Sequence, residues 1–170
     1  MAMIHDDVFV EEVQSVKRTA FGVAYLILKN ASDCEDAMGT AIVKAYEHRG
    51  KLKKRNSFRA WFLQILRNEC YTMLRERRRV FETDELPEGE PASCDPAQTL
   101  DLHAALMQLS EQSRNALYLQ EQGYTMEEIA VIMNVPAGTV RSRLSRAKEK
   151  LRSMLEELNG TIDQNLRCDP

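Results

Sequence analysis

The sequence predicts an all-α protein: two small helical domains joined by an acidic linker that contains proline and glycine. Three observations carry this reading. Apolar residues recur at helical spacing along most of the chain, with no hairpin signal and no convincing strand alternation. The stretch Thr83 to Pro96 holds Pro87, Gly89, Pro91, Ser93 and Pro96 with five acidic residues and almost no core-forming side chain, the composition of a mobile tether. The length, 170 residues, suits one domain or two small ones. The expected division is a first domain over 1–80, a linker over 81–96, a second domain over 97–158 and a tail over 159–170.

The first helix is expected from about Asp7 to Leu28, with Val13, Val16, Ala20, Ala24 and Ile27 on one stripe. Ser32-Asp33-Cys34-Glu35 reads as a capping box, which starts a second helix near Asp33 and carries it to about Tyr46. His48 to Asn56 is polar and basic and reads as a loop. Ser57 can cap a long third helix from Phe58 to about Arg79. Its apolar stripe is Phe58, Trp61, Phe62, Ile65, Leu66 and Met73, with Gln64, Arg67, Asn68, Tyr71, Arg75 and Arg78 on the other side.

Beyond the linker, Asp95-Pro96 is an N-cap and first-turn pair for a helix through Leu109, and Ser110 can cap the next helix to about Gly123. Thr125-Met126-Glu127-Glu128 is a second capping box, opening a short helix to Met133. Asn134-Val135-Pro136 forms a turn, because asparagine tolerates the left-handed conformation. A last helix is expected from Ala137 to Leu158, stopped at Asn159-Gly160.

Charge is strongly segregated although the net charge is only −3. Residues 49–80 hold eleven basic and two acidic side chains, and residues 129–152 hold six basic and one acidic. Between them, residues 81–128 hold one basic and eleven acidic. Two basic blocks suit two surfaces for a polyanion. No apolar run reaches the ~20 residues that span a bilayer. The acidic Asp6, Asp7, Glu11 and Glu12 stand where a secretory signal has basic residues. Membrane insertion is therefore not expected, and a cytoplasmic location is. Cys34, Cys70, Cys94 and Cys168 form no CxxC pair and do not cluster with His5, His48 and His103, so neither a metal site nor a disulfide framework is expected. No phosphate loop or nucleophile motif appears, so no catalytic residue and no cofactor is expected.

The second domain carries the sharper signal. Two helices joined by a tight turn across Tyr124 to Leu151 describe a helix-turn-helix, with the small Ala130 where the helices cross. Ile129, Met133, Val135, Val140, Leu144, Ala147 and Leu151 supply its buried side. The opposite side carries Gly138, Ser142, Ser145 and Arg146, edged by Thr139 and Arg141. Small and basic residues near a helix N-terminus fit a major groove, where arginine pairs with guanine and hydroxyls bond bases or phosphates.

Met126-Glu127-Glu128-Ile129-Ala130 and the run from Val135 to Ala147 resemble region 4 of the sigma-70 family, in its extracytoplasmic-function group. Asn30-Ala31-Ser32-Asp33-Cys34-Glu35-Asp36-Ala37 resembles the start of region 2.2. Ser57 to Asn68, followed by Leu74-Arg75-Glu76-Arg77-Arg78-Arg79, resembles regions 2.3 and 2.4. The resemblance implies a promoter-specificity subunit of RNA polymerase that makes no covalent chemistry of its own. Arg141, Ser142, Ser145 and Arg146 would face −35 DNA, with Thr139 and Arg143 on phosphates. The second helix would dock on the β′ clamp helices through Asp33, Glu35, Asp36 and the neighbouring Gly39 and Thr40, and the second domain on the β flap. The third helix would take the opened −10 strand. Asn68 and Thr72, one turn apart, would line a pocket for a flipped base, with Arg75 beside them. Tyr71 is the exposed stacking candidate and Trp61 is assigned to the core. Arg49, Lys51, Lys53, Lys54 and Arg55 would grip single-strand phosphates. An anti-sigma factor is a further partner that the resemblance implies.

The chain departs from the family pattern after Met38. Where a glutamine and an acidic residue are usual, it has Gly39 and Thr40, which weakens the expected polymerase contact. Two other readings compete: a sigma mimic that titrates an anti-sigma factor, and an ordinary helix-turn-helix repressor or activator. The second leaves the first domain unexplained. The intact basic recognition helix argues against the first.

Overall fold

The computed structural model of the protein describes residues 5–52, 57–80 and 104–166, with side chains through Arg79 and Glu156 in the last two segments. Lys53, Lys54, Arg55, the expected linker and the start of the helix expected from Asp95-Pro96 lie outside the described residues. Among the described residues all regular structure is helical. The order is α1 (Asp6–Leu28), α2 (Ala31–His48), a 3-10 turn (Arg49–Lys51), α3 (Phe58–Val80), a helical turn at 104–107, α4 (Glu111–Glu121), α5 (Met126–Met133) and α6 (Ala137–Leu166).

α1 buries Phe9, Val13, Val16, Ala20, Val23, Ala24 and Ile27. Steps of three and four keep these residues on one face of a 3.6-residue helix. The helix ends at Lys29, which takes the left-handed conformation (φ 56°) and donates its N–H to the Tyr25 carbonyl at 2.9 Å, satisfying a terminal acceptor. α2 starts one residue after Asn30, not at the Ser32 box. The Asn30 side chain accepts the Asp33 N–H at 3.1 Å, and asparagine caps at least as well as serine. α2 continues to His48 and tightens into the 3-10 turn.

α1, α2 and α3 pack on one another around three aromatic rings. Phe58 is fully buried, edge-on to Phe9 at 5.6 Å and stacked on Phe62 at 6.0 Å. Farther along the chain, α4, α5 and α6 pack together. Ser110 caps α4, and Thr125 with Glu128 forms the full capping box of α5. Asn134 ends α5 in the left-handed region (φ 53°), the turn expected there. Ile129, Met133, Val140, Leu144 and Ala147 are buried, with Val135 and Leu151 half-buried. α6 differs from expectation at its end: it passes through Asn159-Gly160 and continues to Leu166.

The two helix groups do not stand apart. α3 packs against α5 and α1 against α4, and one continuous core runs through both groups. This widens the buried arc of α3 beyond one stripe. Leu63 and Cys70 are fully buried in addition to Phe58, Phe62 and Leu66, whereas Trp61, Ile65 and Met73 are only half-buried. No helix among the described residues is long and apolar enough to cross a membrane.

Candidate nucleic-acid interface

The outer face of α6 is open. Arg141, Ser142, Ser145 and Arg146 are exposed, and Thr139 and Arg143 half-buried at its edges. α5 and the Asn134 turn hold the face by burying Val140, Leu144 and Ala147 behind it. Ser142 donates to the Thr139 carbonyl at 3.1 Å, and Arg146 reaches back to the Ser142 carbonyl at 3.3 Å and its hydroxyl at 3.4 Å. These contacts lay the Arg146 guanidinium along the helix surface, with donors left for an incoming acceptor. One guanidinium nitrogen of Arg143, Nη1, is buried with no protein partner.

The second candidate surface lies between α2 and α3. A cavity of about 270 Å³ is lined by Lys44, His48, Lys51, Trp61, Ile65, Asn68 and Glu69. Lys44 and Glu69 form an ion pair at 2.7 Å across it. The His48 ring bonds the Lys44 carbonyl at 2.8 Å. The cavity thus combines an indole, an amide and both signs of charge, a set that can stack on and hydrogen-bond to a planar base.

Several expected −10 residues have different surroundings. Thr72 does not line this cavity; its hydroxyl donates to the Asn68 carbonyl at 3.0 Å and accepts from Arg75 at 3.2 Å. Arg49 is held in a clamp: its guanidinium lies 3.7 Å from the Tyr46 ring centroid, donates to the Tyr46 carbonyl and pairs with Asp6 at 3.6 Å. Only 18% of its side chain is exposed, so it ties α1 to the end of α2. Tyr71 is half-buried, not an open stacking platform. Its hydroxyl donates to Glu111 at 2.6 Å, and Arg67 sits over its ring. Burial first, and then the Glu111 bond, push its phenol up to about 12. Lys51, Asn68 and Arg75 are exposed.

On α2, Glu35, Asp36, Gly39 and Thr40 form one exposed face. Asp33 is not on it: its side chain is buried and paired with Arg77 from the end of α3. Sequence reasoning missed Val43, which is 57% exposed on this same face. Its spacing from Gly39 and Thr40 carried the signal. The Lys44–Glu69 pair joins two helices and has no signature in local spacing.

Comparison with known proteins identifies the family. The family model for sigma-70 region 2 matches residues 13–80, and that for sigma-70 region 4 matches residues 99–151. The RNA polymerase sigma-H factor of Pseudomonas aeruginosa is 30% identical, over 90% of this chain and 95% of its own. The ECF RNA polymerase sigma-E factor of Escherichia coli strain K12 is likewise 30% identical, over 90% and 95%. Among solved structures, the sigma factor RpoE of Bartonella quintana, crystallised with the anti-sigma factor NepR, superposes with a TM-score of 0.71 at 28% identity, over 87% of this chain and 96% of that one. The chain therefore belongs to the sigma-70 family, among the extracytoplasmic-function sigma factors that direct RNA polymerase to promoters.

Proposed function

We propose a division of labour among three surfaces of this sigma factor. α6 enters the −35 major groove, with Arg141, Ser142, Ser145 and Arg146 toward bases and Thr139 and Arg143 toward phosphates. The observation that carries this reading is the exposed face of α6, with its small and basic side chains free of the protein core.

The cavity between α2 and α3 takes one flipped base of the −10 strand. Asn68 bonds its edge and Trp61 its face, while Lys51 and the neighbouring Lys53 and Lys54 neutralise phosphates. Arg75 lies on the same side of α3, and Thr72 acts by holding it. Arg49 and Tyr71 serve the −10 strand only after leaving their present partners. The α2 face of Glu35, Asp36, Gly39, Thr40 and Val43 docks on the β′ clamp helices, with Asp33 positioning the start of that helix. The helix-turn-helix group docks on the β flap. Working with polymerase puts the protein in the cytoplasm. An anti-sigma factor is its inhibitor, as for the similar protein crystallised with one.

The test is reconstituted transcription from fragmented genomic DNA, using core polymerase from the same source. Discrete start sites sharing −35 and −10 elements are expected. An absence of transcripts from protein shown to be folded and bound to polymerase would overturn the promoter surfaces.

A further inference from the structure

The wall of the cavity between α2 and α3 includes one carboxylate, that of Glu69. Trp61, Ile65 and Glu69 recur every four residues along α3, and Lys44 and His48 are one turn apart on α2. Residues at that spacing share a helix face, so the wall runs from the indole through Ile65 to the carboxylate. Asn68 stands next to Glu69 in the same wall. A base laid along the indole and Ile65 therefore meets Glu69 with an edge, not with its face.

The carboxylate is held in place. Only 13% of the Glu69 side chain is exposed, and Lys44 donates to its Oε2 at 2.7 Å from the facing helix. The His48 ring in turn bonds the Lys44 carbonyl at 2.8 Å. α2 and α3 are already joined through fully buried side chains such as Ala41, Ala45, Leu66 and Cys70, and a partly exposed ion pair adds little to that packing. Its chemistry toward the cavity is more selective. A carboxylate accepts hydrogen bonds on both oxygens and donates none, while an ammonium donates three and accepts none. One bond between them leaves an acceptor and a donor side by side in the wall.

The four bases answer such a pair differently. Adenine, cytosine and guanine each have an exocyclic amine to donate to Glu69, with an unprotonated ring nitrogen next to it for Lys44. Thymine has no amine. Its one ring N–H lies between two carbonyls, so a carboxylate that takes it stands against a carbonyl oxygen. We propose that Glu69, oriented by Lys44, selects the base captured in this cavity, admitting a base with an exocyclic amine and rejecting thymine. The proposal rests on the flipped-base reading above and adds the identity of the base. Glu69 is the specificity-determining residue. Lys44 is a positioning residue, which acts by fixing the carboxylate so that its remaining lone pairs meet the base edge. A site built to accept an N–H discriminates against a base that lacks one, because the acceptor is then left unpaired away from water.

The test uses holoenzyme, core polymerase with this chain, on a promoter taken from mapped start sites. Each −10 position of the non-template strand is changed in turn to adenine, cytosine, guanine, thymine or uracil, and binding to the partly single-stranded template is read by competition. At one position the parent is expected to bind the amine-bearing bases about tenfold better than thymine and uracil. Glu69→Gln supplies an amide that donates as well as accepts, so at that position alone the ratio should fall to about twofold. Lys44→Met should lower the ratio as well, and Lys44→Arg should restore it. Glu69→Gln holoenzyme that keeps the parent's preference at every position would overturn the proposal. So would a variant that binds all templates more weakly by one common factor, which is the signature of a purely structural ion pair. Uracil bound as well as cytosine while thymine is refused would also overturn it, because the thymine methyl would then be what the cavity rejects. A parent indifferent to the base at every −10 position would instead remove the base pocket on which the proposal rests.

Discussion

Asp33 shows how one side chain can serve a helix start and a tertiary contact together. Its N–H is capped by Asn30, one carboxylate oxygen pairs with Arg77, and the other is buried with no protein partner. The two neighbouring thiols are also buried. Desolvation, and then the Asp33 charge, push Cys34 up to about 11; desolvation, and then Cys34 itself, push Cys70 up to about 12. An unfolded thiol loses its proton near pH 8.5. The stability tied to the protonated thiols is therefore complete below that pH and lost as pH rises toward 11–12. Urea denaturation at pH 8, 9 and 10 should show falling stability, with a shallower fall in Cys70→Ala. Parallel slopes in parent and variant would rule out that thiol as the cause. At the promoter surfaces, Arg146→Ala should weaken −35 duplex binding by about 1–3 kcal/mol and relax base preference, read by titration against single-base operator variants. Asn68→Ala should leave that affinity alone and reduce permanganate reactivity of the −10 strand; normal reactivity would remove the flipped-base pocket. The exposed face of α6 was legible because one helix carries Arg141, Ser142, Ser145 and Arg146 at fixed spacing. Thr72, Arg49 and Tyr71 were less so, because their partners Asn68, Arg75, Asp6 and Glu111 depend on rotamers or on other elements.

At the scale of elements, α2 carries a local weakness on an open face. Nothing lies within 4 Å of where a Gly39 Cβ would stand, so Gly39→Ala should stabilise the protein by about 1 kcal/mol through helix propensity alone. A melting experiment checks it, and an unchanged or lower Tm would show that α2 is constrained from outside. If the α2 face docks on polymerase, the same variant tells whether Gly39 is spared for contact: affinity should fall when the added methyl obstructs docking and hold when it does not. Helix existence and type were readable throughout because periodic apolar residues and caps agree. The ends were less so. Asn30 outcompeted the Ser32 box, since it lies two residues earlier and accepts the same kind of backbone donor. Asn159-Gly160 did not stop α6. Their propensity penalty is at most about 1 kcal/mol each, and no proline follows until Pro170.

For the whole molecule, the sequence showed two helical groups and two basic blocks but not their packing on one another. The faces that join the groups are short: Gln64, Arg67 and Tyr71 read as a solvated polar side of α3, although Arg67 and Tyr71 are bonded across the interface. Only Leu63 and Cys70, buried beyond the first stripe, hint that α3 is covered twice. Buried apolar side chains of α3 and α5 join the two groups beside these polar contacts.

The position of Trp61 gives the protein a built-in optical probe. It is the only tryptophan in the chain, and it stands half-buried in the wall of the cavity beside Asn68. A base entering there would stack on the indole and quench its emission without any label attached. Single-stranded −10 DNA should dim the fluorescence of the parent, and Asn68→Ala should need more DNA for the same dimming. Duplex −35 DNA, gripped by a helix that carries no tryptophan, should leave the emission where it was.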